Sequence, residues 1–404
     1  MTKLRWLLVA GAGSWLLLSE RDFVAGNQRQ PAPSTRNQQQ APLSDYLFFV
    51  ASEGNDRISL VRFGPGGAKV ERVSKIGRNP TEPVGPHGIA VSPDKRYYYV
   101  STAHGFPNGE LWKFSTVGDS LRGTVTLGAF PATLQISPDG LYAYVVNFNL
   151  HGEMTPSSVS VVYVDEMAEV ARITTCTMPH GSRLNPQGTK HYSACMMDDA
   201  LVEIDTRTMA VSRHFMLKKG MEHGEAGGFA GTGKREPGSD AHAGHGMESP
   251  KAGDVSCSPT WAQPSADGSK VYVACNKSSD VVEIDVATWK LTRRFVMGAG
   301  VYNLAVTRDG RLLVGTNKRG QNVSIVELAT GKEIALLATR RKVASGVVIS
   351  PDDRYAFVTV EGIGSEPGTV EVIDLRALRT VATIDVGQQA GGIDFWKMES
   401  SAGH

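Results

Sequence analysis

Histidines, together with one methionine, are the residues of this chain best suited to bind a metal ion. Seven of the ten histidines lie in loops or at the starts of strand-like segments between residues 87 and 245, namely His87, His104, His151, His180, His223, His242 and His245. The motif H-A-G-H-G-M adds Met247 two residues after the last of them. Neutral imidazole is the commonest metal ligand, and imidazole combined with thioether suits copper, particularly Cu(I). These residue types predict a copper site if the fold brings them together.

A five-residue turn recurs along the chain and is the first guide to the fold, because internal repeats define repeat architectures. It reads V-S-P-D-K, I-S-P-D-G or V-T-R-D-G, and its copies end at Lys95, Gly140, Gly188, Gly268, Gly310 and Asp353. Gly tolerates positive φ and Asp bonds its own backbone, so each copy predicts a hairpin. Alternating segments such as Y-Y-Y-V and Y-A-F-V-T follow the turns and indicate strands.

The spacing of these turns defines the repeat unit. Successive copies are 45, 48, 80, 42 and 43 residues apart, and each unit contains four strand-like segments. Four strands in about 40 to 50 residues form one propeller blade. We predict an all-β fold, a seven-bladed β-propeller over residues 45–397, in which one blade carries an insertion at residues 218–254. The C-terminal strand pairs with the N-terminal blade and closes the ring, which leaves no free sheet edge there.

The repeats also resemble a known family. P-H-G-I-A-V-S-P-D-K-R-Y-Y-Y-V-S-T, V-Y-V-A-C-N-K-S-S-D-V-V-E-I-D-V-A-T-W and the closing G-G-I-D-F-W-K are similar to YVTN-type, YncE-like β-propellers. That family shares a superfamily with the methylamine dehydrogenase heavy chain and the cytochrome d1 propeller. The resemblance implies the fold and says little about function, because propellers host unrelated activities. The haem attachment motif C-x-x-C-H is absent from the sequence.

Antiparallel pairing places most of the histidines on one face of the predicted ring. The innermost strand of a blade begins at the face where its second strand ends, and we call this face the mouth face. His87 and His180 both begin innermost strands in the motif P-H-G, and His104 and His151 follow second strands. The Gly-rich insertion is expected to form a mobile loop over the mouth, which places its histidines at the same face. The mouth of a propeller channel is a concave site of the kind that binds ligands.

Four cysteines occupy repeated positions in two neighbouring blades. Cys195 and Cys275 end second strands, whereas Cys176 and Cys257 precede the innermost strands of the same blades. In an oxidising compartment this arrangement predicts the disulfides Cys176–Cys195 and Cys257–Cys275. Two alternatives remain open from the sequence: thiolate ligation of a metal beside His180, and a Cys195–Cys275 bridge between blades.

The N-terminal residues predict export. Lys3 and Arg5 precede an apolar run at residues 6–18, a pattern that suits a signal peptide or an uncleaved anchor over residues 1–26. Residues 27–42 contain no aliphatic residue larger than Ala, so we expect a disordered linker over residues 27–44. A short tail occupies residues 398–404. The expected location is periplasmic or extracellular.

Charge and motifs argue against several classes of function. The 42 Lys and Arg balance 41 Asp and Glu, so nothing favours binding to nucleic acid. No phosphate-binding loop, serine elbow or paired carboxylates occur, so the sequence predicts no nucleotide cofactor and assigns no catalytic residue.

The favoured interpretation is therefore an exported, monomeric propeller that binds a small ligand or a protein at its mouth face, with copper as the candidate ion. One alternative is an enzyme, either a metal-dependent oxidoreductase or a lactonase-like hydrolase, that uses the same face. Another is a protein-interaction platform without metal. Contact with a membrane is expected only through the N-terminal anchor.

Overall fold

The structure, a computed structural model, describes residues 41–79, 81–104, 107–228 and 255–400. These residues form 29 strands and one short 3-10 helix, Glu53–Asn55. The strands are arranged in seven antiparallel sheets, so the predicted all-β fold of seven blades is confirmed. None of the helical structure in the described ranges is long and apolar enough to span a membrane.

Each blade has its innermost strand beside the channel and its last strand outside. The first blade, from the channel outward, is β29 (Ala390–Ser400), β1 (Ser44–Ser52), β2 (Arg57–Gly64) and β3 (Gly67–Lys75). The second is β4 (Pro86–Val91), β5 (Tyr97–Thr102), β6 (Glu110–Ser115) and β7 (Leu121–Thr126). The third is β8 (Pro131–Ile136), β9 (Tyr142–Asn147), β10 (Pro156–Tyr163) and β11 (Ala168–Thr177).

The remaining four blades follow in chain order. The fourth is β12 (Pro179–Leu184), β13 (Lys190–Cys195), β14 (Ala200–Asp205), β15 (Ala210–Met216) and β16 (His223–Ala226). The fifth is β17 (Pro259–Pro264), β18 (Lys270–Cys275), β19 (Asp280–Asp285) and β20 (Lys290–Val296). The sixth is β21 (Val301–Val306), β22 (Leu312–Asn317), β23 (Asn322–Glu327) and β24 (Lys332–Ala338). The seventh is β25 (Ala344–Ile349), β26 (Tyr355–Val360), β27 (Thr369–Asp374) and β28 (Arg379–Asp385).

The ring closes as predicted, because the C-terminal strand β29 supplies the innermost strand of the first blade. It pairs antiparallel with β1, with Phe395 opposite Phe48 and Asp394 opposite Phe49. Strand β29 also contacts the innermost strands on both sides, β25 and β4. Every innermost strand therefore has a neighbour on each side.

The core lies between the blades, because successive side chains of a strand point to opposite faces of its sheet. Phe48 packs on Phe357 of the seventh blade with ring centroids 4.4 Å apart, whereas Phe49 stacks on Tyr98 of the second blade at 4.5 Å. Both phenylalanines are fully buried. Apolar side chains on the two faces of β1 thus stabilise the interfaces with both neighbouring blades.

One backbone feature repeats in all seven blades at the mouth face. The residue before each innermost strand has positive φ; these residues are Gly85, Phe130, Met178, Ser258, Gly300, Val343 and Gln389. Their carbonyls each accept a hydrogen bond, at 2.8 to 3.3 Å, from the backbone N–H of the residue that follows the second strand of the same blade. This bond fixes where the innermost strand begins and where the second strand ends.

The insertion differs in part from the expected loop. Its residues His223–Ala226 form β16, which pairs with β15 on the outer edge of the fourth blade. The expectation of a loop over the mouth is therefore wrong for this part of the insertion. Residues 229–254, with His242, His245 and Met247, lie outside the described residues.

Both predicted disulfides are present. Cys176, in the last strand of the third blade, is bonded to Cys195, which ends the second strand of the fourth blade. Cys257 precedes the fifth blade and is bonded to Cys275, which ends the second strand of that blade. Neither thiolate ligation of a metal nor a Cys195–Cys275 bridge is compatible with these pairs, so both alternatives are wrong. Each bridge ties the segment before an innermost strand to the end of the second strand, where the backbone turn described above lies.

Candidate functional site

Two rings of residues surround the channel at the mouth face. The second residue of each innermost strand forms the mouth ring: His87, Ala132, His180, Thr260, Tyr302, Ser345 and Gly391. The first residue after each second strand forms the rim: Glu53, Ala103, Phe148, Met196, Asn276, Lys318 and Glu361. The same backbone hydrogen bond joins the two rings in every blade, so the chemistry of the site depends on which side chains occupy these fourteen positions.

Hydrogen bonds between blades hold the mouth ring in place. Thr133 Oγ1 donates to the carbonyl of His180 at 2.5 Å, and Thr260 Oγ1 donates to the carbonyl of Tyr302 at 2.8 Å. His180 acts in the same way, because its Nδ1 lies 2.9 Å from the carbonyl of Thr260. A carbonyl only accepts, so Nδ1 carries the proton and Nε2 of the neutral imidazole is an acceptor.

A buried polar chain runs from His180 to the rim of the seventh blade. Tyr302 OH lies 2.9 Å from His180 Nε2 and donates to it. The Lys318 ammonium lies 3.9 Å from the centroid of the Tyr302 ring and 2.9 Å from Glu361 Oε1. Burial raises the pKa of Tyr302, with Lys318 opposing the rise. The phenol is therefore a neutral donor at neutral pH.

Lys318 keeps its charge in this buried position. Burial by itself lowers the pKa of Lys318, but the charge of Glu361 and the nearby Tyr302 outweigh burial and raise the pKa above its ordinary value. A buried cation beside a neutral phenol is able to bind the oxygen atoms of a ligand.

A second polar group occupies the first and second blades. Glu53 Oε2 lies 2.6 Å from His87 Nδ1, and Glu53 Oε1 lies 3.3 Å from His104 Nε2. Burial alone raises the pKa of Glu53, but the charges and hydrogen bonds of the two histidines hold it well below its usual range. The hydrogen bond to Glu53 raises the pKa of His104 against the effect of burial.

The Glu53 carboxylate also orients His87. Because Nδ1 donates to the carboxylate, the lone pair of His87 lies on Nε2 whenever the imidazole is unprotonated, as in a carboxylate-oriented general base. The His87 ring lies 6.3 Å from the His180 ring and lines the same cavity as Tyr302. A ligand at the mouth would therefore meet a base on one side and a phenol on the other.

Apolar residues form the remaining part of the mouth, in the second to fourth blades. Phe130, Phe148 and Met178 belong to one buried cluster with Ala103 and Ala132. Phe148 lies 4.8 Å from the His180 ring and Phe130 lies 5.5 Å from the His87 ring, measured between centroids. The mouth is thus polar on the side of Lys318 and Glu53 and apolar on the opposite side.

The structure brings some of the predicted site residues together and separates others. His87, His104 and His180 lie at the mouth, and His151 lies beside Phe130 at 5.6 Å between ring centroids. His223 is exposed on the outermost strand of its blade, where Nδ1 is 2.7 Å from the Met221 carbonyl and Nε2 is 3.0 Å from Glu225.

The described residues at the mouth are engaged in hydrogen bonds. Within residues 41–79, 81–104, 107–228 and 255–400, no group of three or more His, Cys, Asp or Glu is arranged to hold a metal ion. His180 would have to give up its bonds to Thr260 and Tyr302 to act as a ligand. The predicted copper ligands at residues 242–247 lie outside these ranges, so the copper site stays a prediction.

Sequence reasoning did not identify Glu53, Tyr302, Lys318 or Glu361. Tyr302 occupies the same repeat position as His87 and His180, and the other three belong to the rim position, where residue types differ from blade to blade. Aligning the residue after each second strand would have shown three charged side chains at one end of the channel.

The fold and the two rings define the class of protein: a seven-bladed β-propeller with a mixed polar and apolar site at one channel mouth. Three solved structures are similar: the hydrazine synthase of Kuenenia stuttgartiensis, a functionally unknown protein of Desulfotomaculum acetoxidans and the periplasmic gluconolactonase of Pseudomonas aeruginosa. The hydrazine synthase is 20% identical with a TM-score of 0.59, covering 80% of this chain and 92% of its own. The Desulfotomaculum protein is 13% identical with a TM-score of 0.61, and the match covers 87% of this chain and 98% of that protein. The gluconolactonase is 17% identical with a TM-score of 0.64, covering 88% and 99%.

No protein-family model and no curated protein sequence matches this chain. The similarities at 13 to 20% identity establish the propeller fold. They confirm the predicted resemblance at that level, and the narrower YncE-like family stays a prediction.

Proposed function

We propose that this protein binds a small, oxygen-rich organic ligand in the mouth of its channel. The observation that carries the proposal is the buried chain His180–Tyr302–Lys318–Glu361, in which His180 and Tyr302 line the cavity and the Lys318 ammonium lies over the Tyr302 ring. Buried polar groups of this kind are costly unless they are satisfied, and a ligand oxygen is a suitable partner for the ammonium.

The chemistry of the two sides indicates the class of ligand. Lys318 is a donor that suits a carbonyl or carboxylate oxygen, whereas His87 Nε2 is an acceptor that suits a hydroxyl group. The rings of Phe130 and Phe148 offer an apolar surface for carbon atoms. A hydroxy acid or its lactone combines all three features.

Calorimetric titration with gluconate and with a small lactone tests this proposal. We expect His87→Gln to weaken binding by at least about tenfold, which corresponds to about 1.4 kcal/mol, because it removes the oriented acceptor. His223→Gln is the matched control, since His223 lies exposed on the outermost strand, and its affinity should equal that of the unmodified protein. Equal affinities for all three proteins would show that the ligand does not bind at the mouth.

Hydrolysis of a lactone is a second candidate, which the Glu53–His87 pair favours. His87 would take a proton from water as the water oxygen bonds to the lactone carbonyl, and Tyr302 and Lys318 would stabilise the oxyanion. The ring C–O bond then breaks, its oxygen receives a proton, and the product is a hydroxy acid. The structurally similar Pseudomonas aeruginosa protein is a periplasmic gluconolactonase.

Acid release from a lactone, followed by pH-stat, tests this candidate. Removing a general base typically costs 10² to 10⁴ in rate, so His87→Gln should lower kcat by about 100-fold or more while His223→Gln leaves it unchanged. Acid release at the spontaneous rate with the unmodified protein would exclude lactone hydrolysis and leave the binding proposal standing.

The copper prediction now depends chiefly on His242, His245 and Met247. Elemental analysis of protein purified from the periplasm tests it directly, with about one copper ion per chain expected. Substitution of the three residues by Ala should remove the ion, and His223→Ala should retain it. Substoichiometric copper after reconstitution would end this proposal without affecting the others.

Export is proposed on two grounds. The two disulfides favour an oxidising compartment, because disulfides persist there and are rare in the cytosol. The N-terminal residues 1–26 have the composition of a signal peptide or anchor. Periplasmic recovery of a fusion that begins with residues 1–44, compared with one that begins at residue 27, separates export from retention.

A further inference from the structure

The cavity that His87 and Tyr302 line at the mouth extends below the mouth ring. Its volume is about 50 Å³, and its walls also include His180, Arg183, Trp261 and Asn303. This volume holds about three or four water molecules. It is large enough for a small anion.

Arg183 brings a partly buried positive charge to this cavity. It follows the mouth ring in β12, and its guanidinium lies over the Trp261 ring at 4.3 Å from the centroid. Its Nη1 donates to the carbonyl of Ser182 at 2.8 Å. Among the described residues, no carboxylate lies within the 4.0 Å of an ion pair with Arg183. Burial lowers the pKa of Arg183 to about 10, with Asp394 opposing the change, so the group is still charged at neutral pH.

Asp394, the carboxylate that opposes the lowering of the Arg183 pKa, already accepts hydrogen bonds from the backbone. Asp394 Oδ2 accepts from the N–H of Val91 at 2.7 Å, and Oδ1 accepts from the N–H of Phe395 at 2.9 Å. Asp394 therefore joins the first blade to the second and does not pair directly with Arg183. The guanidinium has donors left for another acceptor, because it carries five N–H groups.

Two further polar groups of the cavity walls have no partner in the protein. Trp261 Nε1 and Asn303 Oδ1 are both buried without a hydrogen bond, and the side chains are 4% and 6% exposed. Most buried polar atoms in proteins are paired, so two orphans in the walls of one cavity indicate a missing partner. The Asn303 amide can present either its oxygen or its NH₂ group to that partner, because the two ends are nearly alike in shape.

We propose that the cavity below the mouth ring binds a small monovalent anion, such as formate or chloride, on Arg183 with Trp261 and Asn303 as further partners. The anion compensates the partly buried guanidinium, whose charge is costly to leave unpaired. Arg183 and Asn303 lie further along their strands than the mouth-ring residues His180 and Tyr302, in the same cavity that the ligand proposed for the mouth would enter.

Calorimetric titration of the full-length protein with sodium formate tests the proposal. Each increase in sodium formate is matched by an equal decrease in the sodium salt of a bulky sulfonate. The ionic strength is therefore constant, and general salt effects do not change during the titration. We expect saturable binding, and a rise in Tm with formate that follows mass action. Arg183→Met keeps the length of the side chain and removes its charge, and it should weaken binding by at least tenfold.

Two variants guard against misfolding and surface binding. Trp261→Phe keeps an aromatic ring at this position and removes Nε1 with part of the indole, so it should weaken formate binding several-fold. Arg308→Met removes an arginine from an exposed turn and should bind formate as the unmodified protein does. Absence of saturable binding, or equal binding by Arg183→Met, would overturn the proposal.

Discussion

At the scale of single residues, Glu53 makes the mouth sensitive to pH. Its pKa is lowered, so it stabilises the fold above its unfolded pKa of about 4.3, and this contribution is lost as pH falls. The pKa of His104 is raised, so its contribution is complete below its unfolded pKa of about 6.5 and is lost as pH rises through the folded value. The stabilising contributions of Glu53 and His104 are therefore both complete between about pH 4.5 and 6.5.

Glu53→Gln removes the carboxylate on which both contributions depend. We expect the loss of unfolding free energy to be largest near pH 5.5 and smaller at pH 8.5, because His104 is then neutral in both states. Urea unfolding at several pH values measures this difference. Glu82→Gln in an exposed loop is the control, and a loss for Glu53→Gln that is equal at all pH values would contradict the argument.

Lys318 and Glu361 form a buried ion pair whose partners should depend on each other. Their side chains are 11% and 16% exposed, and removing one partner of a buried pair leaves an uncompensated charge that costs about 3 to 5 kcal/mol. We expect Lys318→Met to lower the unfolding free energy by that amount. The double variant Lys318→Met/Glu361→Gln should lower it by clearly less. Denaturant unfolding of the double-mutant cycle measures the coupling.

An exposed pair provides the contrast for this cycle. Arg96 and Asp94 are 72% and 43% exposed, and exposed pairs contribute about 0 to 1 kcal/mol. Arg96→Met should therefore change the unfolding free energy by less than about 1 kcal/mol. Additive losses for Lys318→Met and Glu361→Gln would mean that the two side chains do not interact.

At the scale of elements, the positive-φ residue before each innermost strand positions both rings. Gly300 has φ +70°, and an added Cβ would lie about 3.0 Å from the Arg319 side chain. An L-residue in the left-handed region costs about 1 to 2 kcal/mol, so Gly300→Ala should lower the unfolding free energy by about 1 kcal/mol or more. The change is measured by chemical denaturation.

Gly66→Ala is the matched control for this prediction. Gly66 has no positive φ and nothing within 4 Å of an added Cβ, so Ala there should be neutral or slightly stabilising. Equal effects at the two positions would show that the left-handed backbone does not constrain the turn.

The same elements show what the sequence could predict. The turn that ends at Gly140 or Gly310 recurs with similar residues, because hairpin backbones restrict residue type, and the strands followed directly from it. The rim could not be predicted in this way, because no residue type is shared among Glu53, Phe148 and Lys318. Their backbone is identical, so only the side chains that meet across the channel distinguish the blades.

The sequence also could not predict which side chains contact each other across the ring. Tyr302 and His180 are 122 residues apart, and their hydrogen bond crosses a blade. The repeat alignment placed both at the mouth, but it carried no information on the orientation of either ring. The disulfides were predictable because both partners lie within one repeat, 18 or 19 residues apart.

At the scale of the whole molecule, β29 is the one strand that joins the two ends of the ring. Phe395 packs toward the seventh blade, where its ring lies 6.2 Å from Phe357, and Trp396 packs toward the second, 5.5 Å from Phe49 of β1. The Trp396 indole also donates to the carbonyl of Lys95 at 2.9 Å. The strand is therefore a wedge between two interfaces as well as a partner of β1.

Deleting residues 390–404 should open the ring, because it removes β29, whereas deleting residues 401–404 leaves all of β29 in the chain. We expect the longer deletion to expose the backbone edge of β1 and two apolar interfaces, with loss of cooperative unfolding and a tendency to aggregate. A synthetic peptide that spans residues 388–400 should restore a cooperative transition when added, because it can pair with β1. The same peptide with Phe395→Asp should fail, since a carboxylate cannot replace the ring in the interface. Circular dichroism and light scattering follow both effects, and a 390–404 deletion that unfolds with the Tm of the full chain would show that β29 does not close the ring.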